Sequence, residues 1–238
     1  MAEHEDEPVT LSAHALAALA EFQAEKQDRK AKFDRLRAEA EEDDVPLSMD
    51  AFAEDWNASQ FWYSDETARK FAEQLLENAT SETSIGVIST PSTFVALRNA
   101  LRTKPRAERP RLVLLEYDER FRVFPEFVAY DFQSPLSLPA ELKGSLDRVI
   151  CDPPFLSEDC QAKIALTIRW LLKVNSMPPV RVIICTGERM EGLVTKLYQS
   201  LGVHTTSFVP EHPTGLSNEF YCFANFECNL WTWRQRAG

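Results

Sequence analysis

Short apolar runs alternate with helical patterns from residue 85 onward, and this alternation limits the folds that the chain can adopt. The runs lie at residues 85–89, 112–115, 127–130, 148–151, 180–185, 203–208 and 220–226, with helical patterns at 93–102, 158–173 and 190–201. Such strands are typical of a mostly parallel sheet that helices cover on both faces. A turn-rich segment, PEHPTGLSN, and not a helix joins the last two runs. The sequence therefore predicts an α/β fold with a seven-stranded, Rossmann-like sheet whose last strand is antiparallel.

The N-terminal part of the chain differs from the rest in charge and in pattern. Residues 1–59 contain 16 acidic and 6 basic residues, a net charge of −10, whereas residues 60–238 carry only −1. Residues 11–42 are rich in Ala, Glu, Lys, Arg and Leu and predict one long or broken helix with Ser12 as a cap. We expect residues 1–45 to form an acidic helical extension, partly disordered, which is either a solvated appendage or a partner-binding helix. Residues 46–238 would form the main domain.

Composition excludes several classes of protein. The five cysteines include no C-x-x-C pair, and no histidines stand at zinc spacing, so we expect reduced thiols, no metal and a cytoplasmic location. No apolar run reaches the roughly 18 residues that a membrane-spanning helix needs. We therefore expect no contact with membranes. Only 7 glycines are present, and no G-x-G-x-x-G or P-loop pattern occurs, which excludes the ordinary dinucleotide-binding and P-loop enzymes.

The sequence D-P-P-F directly follows the fourth apolar run, at Asp152, Pro153, Pro154 and Phe155. Ligands of open α/β sheets bind at the carboxyl ends of the strands, which is where this tetrapeptide would lie. The Asp152 carboxylate and the Pro153 carbonyl are two acceptors held by rigid prolines, and they could orient an incoming amine. Phe155 could pack on a base or on a cationic side chain. The plain alternative is an ordinary turn.

This motif resembles that of the amino-directed S-adenosylmethionine-dependent methyltransferases, which carry [DNS]-P-P-[YFW] after the fourth strand. The segment Q-F-W-Y-S at residues 60–64 precedes a helix predicted at 64–78 with Ser64 as its cap, and it is similar to the aromatic segment before the first strand of those enzymes. Where a glycine-rich turn follows the first strand in most methyltransferases, this chain has Ser-Thr-Pro-Ser-Thr at 89–93.

Five motifs together resemble one family over roughly residues 50–238. They are Q-F-W-Y-S, I-S-T-P-S, L-L-E-Y-D-x-R-F, Y-D-F and C-D-P-P-F. The family comprises the eukaryotic protein-lysine N-methyltransferases of translation elongation factor 1A, formerly described as N6-adenine-specific DNA methyltransferases. The resemblance implies a class I methyltransferase domain over residues 46–238, S-adenosylmethionine as cofactor, and elongation factor 1A as protein partner.

The resemblance also assigns roles to single residues. It implies that Glu116, at the end of the second strand, binds the ribose hydroxyls, although a charged strand end beside Arg120 is the plain alternative. It implies that Asp131, at the end of the third strand, meets the adenine amino group with Phe132 beside the ring. The remaining assignments are Tyr63, Ser64 and Ser89 at the methionine end, Asp152 at the cofactor, and Asp152, Pro153, Pro154 and Phe155 at the reacting amine.

Three functions remain open at this point. The first is methylation of a protein lysine by a monomer, with Asp152 as an orienting acceptor, since a carboxylate alone would raise the pKa of the lysine and so keep the amine protonated. The second is N6-methylation of adenine in DNA or RNA, which the near-neutral main domain disfavours because phosphate binding needs a basic face. The third is a non-catalytic binding module with a methyltransferase fold.

Overall fold

The computed structural model describes residues 13–41, 46–52, 54, 60–173, 177–213 and 219–234. Seven strands form one sheet in the order β3-β2-β1-β4-β5-β7-β6. The strands are β1 (Ser84–Ile88), β2 (Arg111–Glu116), β3 (Phe127–Ala129), β4 (Arg148–Cys151), β5 (Arg181–Gly187), β6 (His204–Thr205) and β7 (Phe220–Ala224). Neighbours among β1 to β5 are parallel, and β7 is antiparallel to both β5 and β6. The predicted seven-stranded α/β sheet with an antiparallel last strand is confirmed.

Five α-helices accompany the sheet in the described residues. They are α1 (Ala13–Glu41), α2 (Asp65–Leu76), α3 (Pro91–Leu101), α4 (Glu158–Leu171) and α5 (Glu191–Leu197). The prediction of a helix at 190–201 is wrong in its continuity, because α5 lies between two short 3₁₀ turns and Gly202 ends the segment with a left-handed φ of 71°. The strand predicted at 203–208 is also too long. After β6 the chain bonds instead to the C-terminal segment, where the Ser207 N–H donates to the Thr232 carbonyl at 2.9 Å.

Apolar side chains fill both faces of the sheet. On one face Phe71 of α2 and Phe94 of α3 are fully buried, and on the other Ile168 of α4 and Val194 of α5 are fully buried. This two-sided burial explains why the central strands consist almost wholly of branched apolar residues. The helix predicted at 64–78 is α2, and Ser64 caps it by accepting a hydrogen bond from the Thr67 N–H at 3.2 Å.

The predicted N-terminal helix is present as the unbroken α1, while its predicted cap, Ser12, lies outside the described residues. Chain packing against the sheet domain begins at Leu47, whose N–H donates to the Asn99 side chain at 2.8 Å and whose carbonyl accepts from it at 2.9 Å. Phe52 then stacks on Phe121 with ring centroids 4.1 Å apart. The domain boundary predicted at residue 46 stays a prediction.

The five thiols are free, and all but Cys228 are buried. Among the described residues, none of the helices combines the length and the apolar character that crossing a membrane requires. In the same residues, no group of His, Cys, Asp and Glu side chains is arranged to hold a metal ion.

Candidate functional site

A cavity of about 600 Å³ opens at the carboxyl ends of the parallel strands. From β1 the chain crosses to β2 on one side of the sheet, and from β4 it crosses to β5 on the other side. The cavity therefore lies at the switch point of the topology. Eight of the ten residues assigned from sequence line it: Ser89, Glu116, Asp131, Phe132, Asp152, Pro153, Pro154 and Phe155. The structure therefore brings together side chains from four strand ends that are far apart in the sequence.

Asp152 lines this cavity and lies immediately after β4. The Tyr63 hydroxyl donates a hydrogen bond to Asp152 Oδ2 at 2.7 Å. Burial raises the pKa of Asp152 to about 8, and the bond from Tyr63 opposes that rise. Near neutral pH the carboxyl group can therefore exchange between the neutral and the ionised form.

Glu116 ends β2, as predicted, and is 5% exposed. Its Oε1 atom accepts hydrogen bonds from the backbone N–H groups of Tyr117 at 2.8 Å and Asp118 at 3.1 Å. In the described part of the chain Oε2 has no hydrogen-bond partner, and Glu116 lines the cavity, so this oxygen can accept a bond from a ligand. Burial raises the pKa of Glu116 to about 7, although the two backbone bonds act in the opposite direction. A buried acceptor of this kind gains strongly from a hydroxyl donor.

Asp131 lies two residues beyond the end of β3, and not at the end itself as predicted. Its carboxylate accepts a hydrogen bond from the Gln133 N–H at 2.8 Å, which shapes a turn after the strand. Phe132 packs against Phe155 of the D-P-P-F motif with ring centroids 5.6 Å apart. These two aromatic rings form a continuous apolar wall between the strand ends.

Ser89 follows β1 with a left-handed φ of 53°, a conformation that glycine adopts at low cost. Its N–H donates to the Leu115 carbonyl at 3.0 Å, and α3 begins two residues later with Pro91. For a side chain other than glycine this conformation costs roughly 1–2 kcal/mol. The hydroxyl-rich loop thus makes a sharp turn without a glycine.

Tyr63 and Ser64 do not line the cavity. The Ser64 side chain caps α2, and its N–H donates to the Glu211 carbonyl at 2.8 Å. Tyr63 is buried and reaches the cavity only through its bond to Asp152. The methionine-end role predicted for these two residues stays a prediction, as do the other cofactor contacts.

Sequence reasoning missed nine of the lining residues. They are Gln60, Phe61, Trp62, Tyr117, Tyr130, Gln133, Leu156, Arg189 and Phe220. The first three belong to the Q-F-W-Y-S motif and could have been assigned from it. Arg189 and Phe220 come from the ends of β5 and β7, and no motif marks them in the sequence. They enter the site because these two strands are antiparallel neighbours.

The cavity fits S-adenosylmethionine in size and in chemistry. Its volume lies within the roughly 300–1,000 Å³ of small-molecule sites. The unpaired Oε2 atom of Glu116 suits a hydroxyl donor, and the wall formed by Phe132 and Phe155 suits a planar ring. The side chains present could therefore hold the cofactor that the sequence predicts.

Comparison with known proteins adds independent information. A family model described as probable N6-adenine methyltransferase matches residues 54–228. The protein-lysine N-methyltransferase EFM5 of Saccharomyces cerevisiae is 43% identical, covering 93% of this chain and 94% of the relative. EEF1A lysine methyltransferase 1 of Homo sapiens is 38% identical, covering 95% of this chain and 96% of the relative. The solved structure of a branched-chain polyamine synthase mutein of Thermus thermophilus matches with a TM-score of 0.52 and 14% identity, and the match covers 81% of this chain and 62% of the synthase chain. At this identity the match shows a similarity of fold alone.

Proposed function

The chain belongs to the family whose model is described as probable N6-adenine methyltransferase, and we propose that it methylates a lysine of translation elongation factor 1A. It is an S-adenosylmethionine-dependent protein-lysine N-methyltransferase with a seven-stranded class I sheet. The choice of elongation factor 1A rests on the relatives' names, EEF1A lysine methyltransferase among them. The observation that carries the proposal in the structure is Asp152, which lies in the cavity with one carboxylate oxygen engaged by Tyr63.

In this proposal Asp152 orients the lysine amine. The amine must be neutral to attack, and its ordinary pKa is near 10.4, so the site has to favour the uncharged form. Desolvation in the cavity lowers the pKa of an amine, while an ionised Asp152 raises it. We therefore assign Asp152 and the Pro153 carbonyl the role of acceptors for the N–H groups, which directs the nitrogen lone pair at the methyl group. When bound, S-adenosylmethionine supplies an electrophilic methyl group on a positively charged sulfur.

The cofactor would extend from Asp152 towards β2 and β3. We assign Glu116 to the ribose hydroxyls, Asp131 to the adenine amino group, and Phe132 to the face of the ring. Ser89, in its left-handed turn, would lie near the methionine end together with Ser64. Support for this direction comes from the free Oε2 atom of Glu116 and from the position of both acids in the cavity wall.

The charges of the cavity favour a protein substrate over a nucleic acid. Among its described lining residues, three are acidic (Glu116, Asp131 and Asp152) and one, Arg189, is basic. A polyanion approaching this mouth would meet one described basic side chain, whereas nucleic-acid sites present many basic side chains to the phosphates. A lysine side chain, which is cationic in solution, is drawn to such a surface.

Transfer of a labelled methyl group to elongation factor 1A tests the proposal. With tritiated S-adenosylmethionine and purified elongation factor 1A, we expect label on the protein band, at a lysine located by mass spectrometry, and no effect of nuclease. Asp152→Asn serves as the inactive control. In a second assay a whole-cell extract replaces the purified substrate. If nuclease removes the label from that extract, adenine methylation is favoured. Label on a different protein would overturn the choice of substrate, and cofactor binding without any labelling would favour a non-catalytic module.

We also propose that the main domain begins at residue 46. We propose in addition that the acidic extension before it steers the protein substrate towards the enzyme by electrostatic attraction. Leu16, Leu19 and Phe22 of α1 are exposed, so the part of this helix whose side chains are described adds little to the packed core. A monomeric state and a cytoplasmic location stay predictions of the sequence.

Deletion of residues 1–45 tests the division. We expect an unchanged melting temperature and cofactor affinity, because packing begins at Leu47. We expect the KM for elongation factor 1A to rise a few-fold at low ionic strength, with the difference closing as salt screens the charges. Equal KM values at low salt would leave the extension without a steering role, and loss of folding would move the domain boundary.

A further inference from the structure

Tyr63 makes one polar contact that the predicted cofactor role does not explain. Its hydroxyl donates to Asp152 Oδ2 at 2.7 Å, across 89 residues of sequence. Burial keeps the pKa of Tyr63 well above its usual value, so the phenol remains a donor throughout the working pH range. Within the described residues Asp152 Oδ1 has no hydrogen-bond partner. One carboxylate oxygen is thus fixed by Tyr63, and the other is free for a ligand.

The ring of Tyr63 is enclosed and cannot easily reorient. It packs edge-on against Phe71 with centroids 5.5 Å apart, and His212 lies on its other side at 4.9 Å. The Tyr63 N–H donates to the Ser92 side chain at 3.4 Å, and the next residue, Ser64, donates to the Glu211 carbonyl at 2.8 Å. The side chain is only 4% exposed. Tyr63 is therefore held in place before any ligand binds.

We propose that Tyr63 is a positioning residue that fixes the Asp152 carboxylate for the reacting amine, and not a contact of the cofactor's methionine end. The inference rests on the proposed lysine methylation. Tyr63 lies behind Asp152 and outside the cavity wall, so it acts on the reaction only through that carboxylate. Holding an acceptor within a narrow range of orientations aligns the amine with the methyl group, and such alignment lowers the barrier.

The same bond also affects the protonation of Asp152. A hydrogen-bond donor to a carboxylate favours the ionised form of that carboxylate. The bond from Tyr63 therefore lowers the pKa of Asp152, against the effect of burial. The titratable and charged groups around the pair are the thiols of Cys151, Cys160 and Cys185, the imidazole of His212, and Glu116, Asp131 and Arg189 in the cavity wall. Burial raises the pKa of all three thiols and lowers that of His212 to about 4. These four groups are therefore uncharged near pH 7, and Glu116, with a pKa of about 7, is the other acid that titrates there.

Tyr63→Phe distinguishes the positioning role from a contact with the cofactor, because it removes the hydroxyl and keeps the ring. We expect kcat on elongation factor 1A to fall about tenfold to a hundredfold, which is the usual effect of losing one hydrogen bond to a charged group. Calorimetry should give an unchanged Kd for S-adenosylmethionine. The acid limb of kcat/KM against pH should move to higher pH. In the ligand-free protein labelled with ¹³C-aspartate, the Asp152 carboxyl should titrate at higher pH than in the wild type, with its signal assigned by Asp152→Asn.

Tyr198→Phe is the matched control. Tyr198 is fully buried on the opposite face of the sheet, and its hydroxyl has no partner among the described residues. This variant should keep wild-type kcat and the wild-type titration of Asp152. A thermal melt of both variants shows whether the ring packing is preserved.

Two results would overturn the positioning role. A weaker Kd for S-adenosylmethionine with unchanged kcat would place Tyr63 at the cofactor, and an unshifted titration of Asp152 in Tyr63→Phe would show that the bond does not couple the two groups. If the wild type fails to methylate elongation factor 1A while the Asp152 titration still shifts, the substrate assignment fails and the coupling stands. The two proposals can therefore fail separately.

Discussion

Asp152→Asn is expected to slow methyl transfer at least about a hundredfold while the protein remains folded. An asparagine keeps the shape and can still accept the bond from Tyr63, but it then presents an N–H₂ group to an amine that needs an acceptor. Losing a charged hydrogen bond and the alignment it provides accounts for an effect of this size. Initial rates with tritiated S-adenosylmethionine measure it, and circular dichroism verifies the fold.

The same variant should melt at a higher temperature than the wild type in alkaline solution. The pKa of Asp152 is raised by burial to about 8, so the folded state binds this proton more tightly than the unfolded state. Stability of the wild type therefore decreases as the pH rises from about 4 through about 8, and the uncharged amide of the variant removes that loss. We expect a gain of a few degrees at pH 9 and little difference at pH 5.

Asp159→Asn is the matched control for these measurements. Asp159 is an exposed carboxylate in the first turn of α4, paired with Lys163 at 2.7 Å. Its replacement should change neither the rate nor the pH dependence of stability. An Asp152→Asn protein with wild-type turnover would refute the amine-orienting mechanism.

Glu116→Ala should weaken binding of S-adenosylmethionine roughly a hundredfold, and Glu116→Gln roughly tenfold. The alanine removes the buried acceptor assigned to the ribose, and the glutamine removes only its charge, which accounts for part of the strength of such bonds. Because the pKa of Glu116 is about 7, wild-type affinity should increase as the pH rises from 6 to 8. The glutamine variant should lose this contribution to the pH dependence. Calorimetry in buffers of different ionisation enthalpy measures both the affinity and the protons released.

Glu126→Gln provides the comparison for Glu116. Glu126 pairs with Arg98 at 3.4 Å and precedes β3 at the end of the strand that lies away from the cavity. Its replacement should leave cofactor affinity unchanged. If Glu116→Ala binds the cofactor as tightly as the wild type, the ribose assignment is wrong.

The fold was largely predictable because its strands are buried on both faces. Continuous branched apolar runs such as β4, bounded by turn residues, are recognisable as buried strands from the sequence alone. The absence of a crossover helix before β7 indicated that β7 is antiparallel to its neighbour. The predictions of secondary structure were wrong where tertiary contacts decide where an element begins and ends. The chain at and after the two-residue β6 bonds to the C-terminal segment, which no local pattern reveals. The helix around α5 is shortened by a 3₁₀ turn on either side.

The candidate site was predictable where residues belong to motifs at strand ends. Asp152, Glu116 and Asp131 all line the cavity for that reason. Arg189 and Phe220 were missed because their approach depends on the pairing of β5 with β7, which brings residues 187 and 220 into register. The bond from Tyr63 to Asp152 was missed for the same reason, since it joins two motifs that sequence reasoning treated separately.

The insertion of β7 between β5 and β6 has a consequence for how the chain acquires activity during its synthesis. A ribosome releases β5 about 35 residues before β7 emerges, and until then the edge of β5 has no neighbour on that side. Contacts between segments so distant in sequence form late in folding. The cavity wall includes Phe220 at the start of β7, and Asp152 in that wall bonds to Tyr63. A nascent chain therefore cannot complete the site until β7 has left the ribosome.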